Sequence, residues 1–204
     1  MKIWFDTEFM EDGKTIELLS IGAEREDSAT FYAECKEADH SKASEWVKAN
    51  VLPKLTGGAA RMPRYLIAES FKKFCGERPE LWAYYADYDW VALCQLYGTM
   101  MDLPKGWPMF CRDVKQLCVS VGNPKLPPQT GEHHALADAK WTRAAWDFLQ
   151  TARAEVESLE GELWNEARSL GADIIERLDG VCSSDYVAGE VYEAMRKCMN
   201  KDRK

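Results

Sequence analysis

The chain has 204 residues, 46% of them hydrophobic and 29% charged, which is room for one sizeable soluble domain and a small appendage. Its formal net charge of −8 argues against a broad basic surface for gripping nucleic acid, though not against a narrow site whose acids are neutralised by metal. No apolar run approaches the ~20 residues of a membrane span, and Asp6 and Glu8 stand where a signal peptide keeps its apolar core, so a cytoplasmic protein is expected.

In chain order, KIWFDTEF (2–9) reads as a strand. GKTIELLSIGAE (13–24) and SATFYAEC (28–35) follow after turn-like EDG and REDS. The three are expected to form an antiparallel meander. Residues 41–56 are helical in composition up to Pro53, and 64–75 is a second helix with Pro63 at its start. PELWAYY (79–85) is a short strand, DWVALCQLYG (89–98) a helix ending in glycine, and WPMFCRD (107–113) another strand. VKQLCVSVG is the next helix, and the proline-rich loop NPKLPPQTGEHH leads into a strong helix over 135–149. Three strands followed by α/β alternation imply a mixed sheet with helices packed against it.

Beyond about residue 150 the pattern changes. Val156, Leu159, Leu163, Leu170, Ile174 and Leu178 recur at helical spacing, and Ser184 could cap a last helix. The expected division is therefore a domain over 1–150 and a helical extension over 151–204. Of the net charge, −4 falls in residues 1–150, which hold 18 basic and 22 acidic side chains. The seven cysteines form no C-x-x-C pair, so structural zinc is not expected and a reducing compartment fits.

Three places carry acids in unusual settings: Asp6-Thr7-Glu8, ADYDWVAL with Asp89, and HHALADA with Asp138 and His133 five residues before it. Side chains two apart on a strand share a face, so Asp6 and Glu8 repel unless something positive sits between them. Each place has an ordinary reading alone: Asp89 as a helix cap, Asp138 as a solvated helix residue, His133 as a polar loop residue. Together they describe carboxylates meeting at one edge of a mixed sheet, an arrangement that calls for cations. Hard oxygen ligands without cysteine select Mg²⁺ or Mn²⁺, and a pair of such ions can clamp the oxygens of a phosphodiester. A histidine beside them can accept a proton from water.

Asp6-x-Glu8, DWVAL with Asp89, and His133 with Asp138 in H-x-x-x-x-D resemble the DnaQ-like DEDDh 3′→5′ exonucleases. FDTEF and HHALADA are close to that family's first and third motifs, and YDWVALCQLYG and PMFCRD look like its bacterial and phage 3′–5′ exoribonuclease subgroup. The resemblance covers residues 1–150. It implies an RNase H-like α/β fold and a metal-dependent 3′→5′ exonuclease releasing nucleoside 5′-monophosphates. Asp6, Glu8, Asp89 and Asp138 would bind two Mg²⁺, with Mn²⁺ as substitute. Glu8 would also meet the terminal 3′-OH, and His133 would be the general base. Asp87 is the rival of Asp89, and His134 that of His133. Single-stranded or 3′-overhang RNA is the implied substrate. A DNA-trimming exonuclease is the near alternative, and a non-catalytic nucleic-acid-binding module the more distant one.

For substrate contacts the candidates are Thr7, Phe9, Trp90 and Arg112. Among aromatics near the motifs, Phe9 is preferred for stacking because it follows the Asp-x-Glu pair; Tyr85, Tyr88 and Trp107 are also near. Gly131 would let the loop carrying His133 order on substrate. The helical tail and the family's habit point to a homodimer.

Overall fold

Alternation along the first strand, β1 (Lys2–Glu11), sorts its side chains into two cores. Ile3 and Phe5 enter a large cluster with Leu19, Ile21, Ile67, Phe71 and Leu93, while Trp4 enters a second with Trp82, Val114, Cys118, Ala145 and Leu149. Asp6 and Glu8 continue the Trp4 face beyond the end of that second core. The computed structural model describes residues 1–177 and 184–201, and the chain divides after Leu149 into two units.

In the first unit β1, β2 (Ile16–Arg25) and β3 (Thr30–Cys35) form the expected antiparallel meander. β4 (Arg61–Met62), β5 (Glu80–Ala83) and β6 (Arg112–Asp113) add parallel pairings, giving a six-stranded mixed sheet in the order β4-β3-β2-β1-β5-β6. The fold is thus mixed α/β, as an RNase H-like chain requires. Two helices supply much of the large core. α2 (Arg64–Cys75) buries Ile67, Ala68, Phe71 and Cys75, and α3 (Ala86–Tyr97) buries Ala92, Leu93 and Leu96. The second core is closed by α4 (Val114–Ser120) and by the start of α5 (Ala135–Arg177).

Several expected boundaries differ. The segment 41–56 is not one helix. It holds single 3-10 turns at His40–Lys42 and Leu52–Lys54 around a six-residue α1 (Glu45–Asn50), capped by Ser44, whose Oγ accepts from the Val47 N–H. Proline at 53 and the capping serine break the run. The strand expected over 107–113 is reduced to Arg112–Asp113, because Trp107 turns into the large core and donates its indole N–H to the Gly76 carbonyl. α3 begins at Ala86 rather than Asp89, because Tyr85 takes a left-handed conformation (φ +57°) that turns the chain straight from β5 into the helix. The helix expected over 135–149 continues to Arg177.

The second unit consists of the later part of α5 and of α6 (Ser184–Lys201). Arg196 pairs with Glu160 and Tyr192 meets Trp164 edge to face at 5.3 Å, so the two helices run in opposite directions. Ser184 is the first residue of α6 rather than its cap. Leu178 and Cys182 lie outside the described residues. Among the described residues no helix is long and apolar enough to cross a membrane, and five cysteines are free thiols. Gly161 lies within α5 with open space where a Cβ would stand. Gly161→Ala is expected to stabilise the helix by about 1 kcal/mol, seen as a later loss of far-ultraviolet circular dichroism on heating; an earlier loss would contradict it.

Candidate active site

β1 brings the first two acids to the sheet edge. Asp6 is half-buried and Glu8 almost fully buried. A register shift after Glu8 ends the regular pairing with β2. Thr7 points to the other face and is itself buried. Its N–H (2.8 Å) and its hydroxyl (2.6 Å) both donate to Asp89 Oδ1. Thr7 therefore holds a carboxylate in place; it is engaged with Asp89 rather than open to a substrate. Because α3 starts early, Asp89 sits in its first turn, buried to 6% exposure, whereas Asp87 is exposed. Asp113, at the end of β6, caps α4 and accepts the Ala86 N–H, tying the start of α3 to the sheet.

Asp138 arrives from the first turn of α5. It accepts from the His133 backbone N–H on Oδ2 (2.7 Å) and from the Gln129 side chain on Oδ1 (2.8 Å). The close approach of α5 depends on Gly22, which is paired with Asp6 across β1 and β2 and with Tyr32 across β2 and β3. A Cβ at Gly22 would overlap the backbone of Ala135 and Leu136. The missing side chain thus lets the helix N-terminus rest on the sheet beside Asp6.

The geometry draws Glu8, His133 and Asp138 together, with one possible ligand atom from each within 4.8 Å of the others. Asp6 and Asp89 complete the group electrostatically. Burial, followed by Asp89, Glu8 and Asp138, pushes Asp6 well above the usual carboxylate range. Burial, Asp138 and Asp89 raise Glu8 to about 8, with Lys54 acting against them. Burial raises Asp89 to about 7 despite its two bonds from Thr7, with Asp113 and Asp138 adding to the rise. The closeness of the Asp138 carboxylate thus disfavours charge on Glu8 unless a cation lies between them. Carboxylate oxygens that repel one another at a largely buried edge fit a hard divalent cation.

His133 has φ +65°, a left-handed conformation that costs a non-glycine residue ~1 kcal/mol. Its loop is tied on several sides. Trp141 Nε1 donates to the Pro127 carbonyl, Gln129 reaches Asp138, and the Lys54 amine donates to the Glu132 carbonyl. The Trp46 ring meets the His133 ring at 4.8 Å, edge to face. His134 is engaged elsewhere: its ring stacks on Tyr32 at 4.5 Å, and its Nδ1 accepts from the Ala137 N–H.

The remaining candidates divide. Phe9 stacks on the exposed Tyr88 at 5.4 Å, nearly parallel, and lines a cavity of about 410 Å³ with Glu8, Met10, Trp46, Val47 and Val51. Tyr85 is 60% exposed at the start of α3. Trp90 packs on the large core and Trp107 is buried in it. Arg112 is engaged by other partners, lying over the Trp82 and Phe110 rings with Glu80 3.5 Å away. Sequence reasoning missed Gln129, Lys54, Trp46 and Gly22. Of these only Gly22 carries a local signal, an isolated glycine inside a strand pattern, which marks close approach by another backbone.

Residues 1–150 match the family described as the 3′-5′ exoribonuclease Rv2179c-like domain. Two Mycobacterium tuberculosis proteins, "3′-5′ exoribonuclease MT2234.1" of strain CDC 1551 / Oshkosh and "3′-5′ exoribonuclease Rv2179c" of strain H37Rv, are each 44% identical over 147 residues. The match spans 69% of this chain and 88% of each relative. By this match over most of its length, and by motifs of the DnaQ-like type, the chain belongs to the Rv2179c-like 3′-5′ exoribonuclease domain family.

Proposed function

We propose that the protein is a metal-dependent exoribonuclease that removes nucleoside 5′-monophosphates from the 3′ end of single-stranded or overhanging RNA. The observation that carries this reading is the convergence of Glu8, His133 and Asp138 beside Asp6 and Asp89 at one sheet edge. Residues 1–150 act as the catalytic domain and 151–204 as a helical extension. RNA is favoured over DNA because both relatives are named exoribonucleases.

Asp6, Glu8, Asp89 and Asp138 would hold two Mg²⁺, or Mn²⁺ in their place. The ions would neutralise the scissile phosphate and polarise its oxygens. The chain's own residues do the rest. Glu8 accepts a hydrogen bond from the terminal 3′-OH and so registers a chain end. Phe9 and the adjoining cavity receive the terminal nucleoside, where base stacking on an aromatic is worth about 1–3 kcal/mol. The His133 imidazole takes a proton from water as the water oxygen bonds to phosphorus. The bond from phosphorus to the 3′-oxygen of the preceding nucleotide breaks, and that oxygen takes a proton from solvent. Thr7 keeps Asp89 aimed at the site, and Gln129 does the same for Asp138.

The test is a time course on RNA labelled at its 5′ end, with matched DNA alongside. With Mg²⁺ a ladder shortening from the 3′ end is expected, absent with chelator and in Asp138→Ala. Faster trimming of the DNA would move the reading to a deoxyribonuclease. Binding without shortening under either cation would leave a nucleic-acid-binding module. A cytoplasmic homodimer belongs to the same reading. Dimerisation would use the second unit, where Leu159 and Leu170 are exposed; a sedimentation mass of one chain at all concentrations would remove it.

A further inference from the structure

Trp46 has no evident reason to be where it is. It is 55% exposed on a six-residue helix whose inward side chain is the neighbouring Val47. A large aromatic on such a helix gains little from core packing. Its contacts lie instead on the site: one neighbour is the His133 ring, edge to face at 4.8 Å, and it also lines the cavity shared with Glu8 and Phe9.

His133 needs such a neighbour. Its backbone is fixed by its own N–H to Asp138, and the preceding peptide by Lys54 at the Glu132 carbonyl. Those bonds set where the Cα sits, but neither fixes the two side-chain torsions that aim the imidazole. Among the described residues, Trp46 supplies the one aromatic contact to that ring. Trp46 and Lys54 come from the same short stretch, between β3 and α2, so one segment holds the loop both at its backbone and at its ring.

We propose that Trp46 is a positioning residue: its indole sets the orientation of the His133 imidazole, so that the ring is aimed before substrate arrives. The proposal rests on the exonuclease reading, with His133 as proton acceptor. Trp46 does not touch the reacting atoms. It acts on rate through the histidine, and its role in binding the terminal nucleoside is secondary.

The experiment joins steady-state kinetics on a short single-stranded RNA to proton NMR of the metal-free protein, at one pH. Trp46→Ala is expected to lower kcat by roughly 10–100-fold, as displacement of a catalytic group does, with KM changed by less than about threefold. Trp46→Phe, which keeps a ring against His133, is expected to recover most of the loss. A raised KM with kcat intact would overturn the proposal and make Trp46 a binding residue only. The protein has only three histidines, so the His133 ring signals can be assigned with His133→Asn. They are expected to be displaced by the Trp46 ring current and to move toward the free-histidine position in Trp46→Ala, while those of His40 stay put. Unmoved His133 signals would overturn the proposal whatever the kinetics. Failure of the exonuclease reading shows separately, as no hydrolysis by the wild type or an unchanged rate in His133→Ala.

Discussion

Without divalent metal, the protein is expected to lose thermal stability as pH rises from about 4.5 to about 8, and a divalent cation is expected to restore it most at the upper end. The sign follows from Asp6, Glu8 and Asp89. All three are raised by burial, and acidic neighbours add to each rise, Glu8 reaching about 8 and Asp89 about 7. An acid whose pKa is higher folded than unfolded binds its proton more tightly in the native state. Its contribution is fully present below the unfolded value, near 4, and is lost as pH rises through the folded value. Each kcal/mol lost in this way moves the midpoint by roughly 2–4 °C in a chain of this size. A cation that neutralises the carboxylates removes the cause, so the metal-induced rise in midpoint grows with pH.

The same electrostatics set function against stability at Asp6. Asp6→Asn deletes a half-buried charge that Asp89, Glu8 and Asp138 oppose. It is expected to raise the metal-free midpoint at pH ~8 and to flatten its pH dependence, by removing a repelled charge. It is also expected to cut RNA hydrolysis by at least about 10³-fold, equivalent to ~4 kcal/mol of barrier. Thermal unfolding across pH, with and without Mg²⁺, checks the first half, and the labelled-RNA assay the second. A midpoint indifferent to pH in the metal-free protein would mean that the acids do not repel as their placement implies.

What could be read from the sequence, and what could not, follows from how far each feature depends on local chain chemistry. Asp6 and Glu8 share a face because strands have a period of two, which needs no knowledge of the rest of the fold. The bounds of α2 were legible because Pro63 and Gly76 mark its ends. The start of α3 was not, since it depends on Tyr85 taking a left-handed conformation that no local rule assigns to a tyrosine. The two-residue strands β4 and β6 exist only because partners lie beside them. In the site, the acids and His133 stood out by motif, but their supports did not. Thr7 faces away from its neighbours' carboxylates to hold Asp89 from 82 residues along the chain. Gln129 and Trp46 are ordinary loop and helix residues until the fold brings them to Asp138 and His133. Arg112 shows the converse: it sits two residues before α4 in a motif-like stretch, yet Trp82, Phe110 and Glu80 claim it.

Gly22→Ala is expected to cost ~1–3 kcal/mol of stability and about 10²-fold or more in RNA hydrolysis, although Gly22 carries no chemistry. The added methyl would enter the backbone of Ala135 and Leu136 rather than the end of a flexible side chain. Backbone of a helix start cannot step aside locally, so the N-terminus of α5 must lift from β2. Asp138 lies in that first turn, and His133 hangs from Asp138 by its N–H. Both are therefore displaced together from Glu8, while Asp6 and Asp89, held by β1 and α3, stay behind. Two readouts separate this displacement from a general loss of fold. Far below the variant's own midpoint, where it is fully folded, the activity loss should persist. The rise in midpoint on adding Mg²⁺ or Mn²⁺ should also shrink, because the carboxylates no longer converge. If Gly22→Ala hydrolysed RNA at the wild-type rate and kept the full metal-induced stabilisation, the seating of α5 on Gly22 would not be what assembles the site. The pairing of Gly22 with Asp6 would then be only a feature of the sheet.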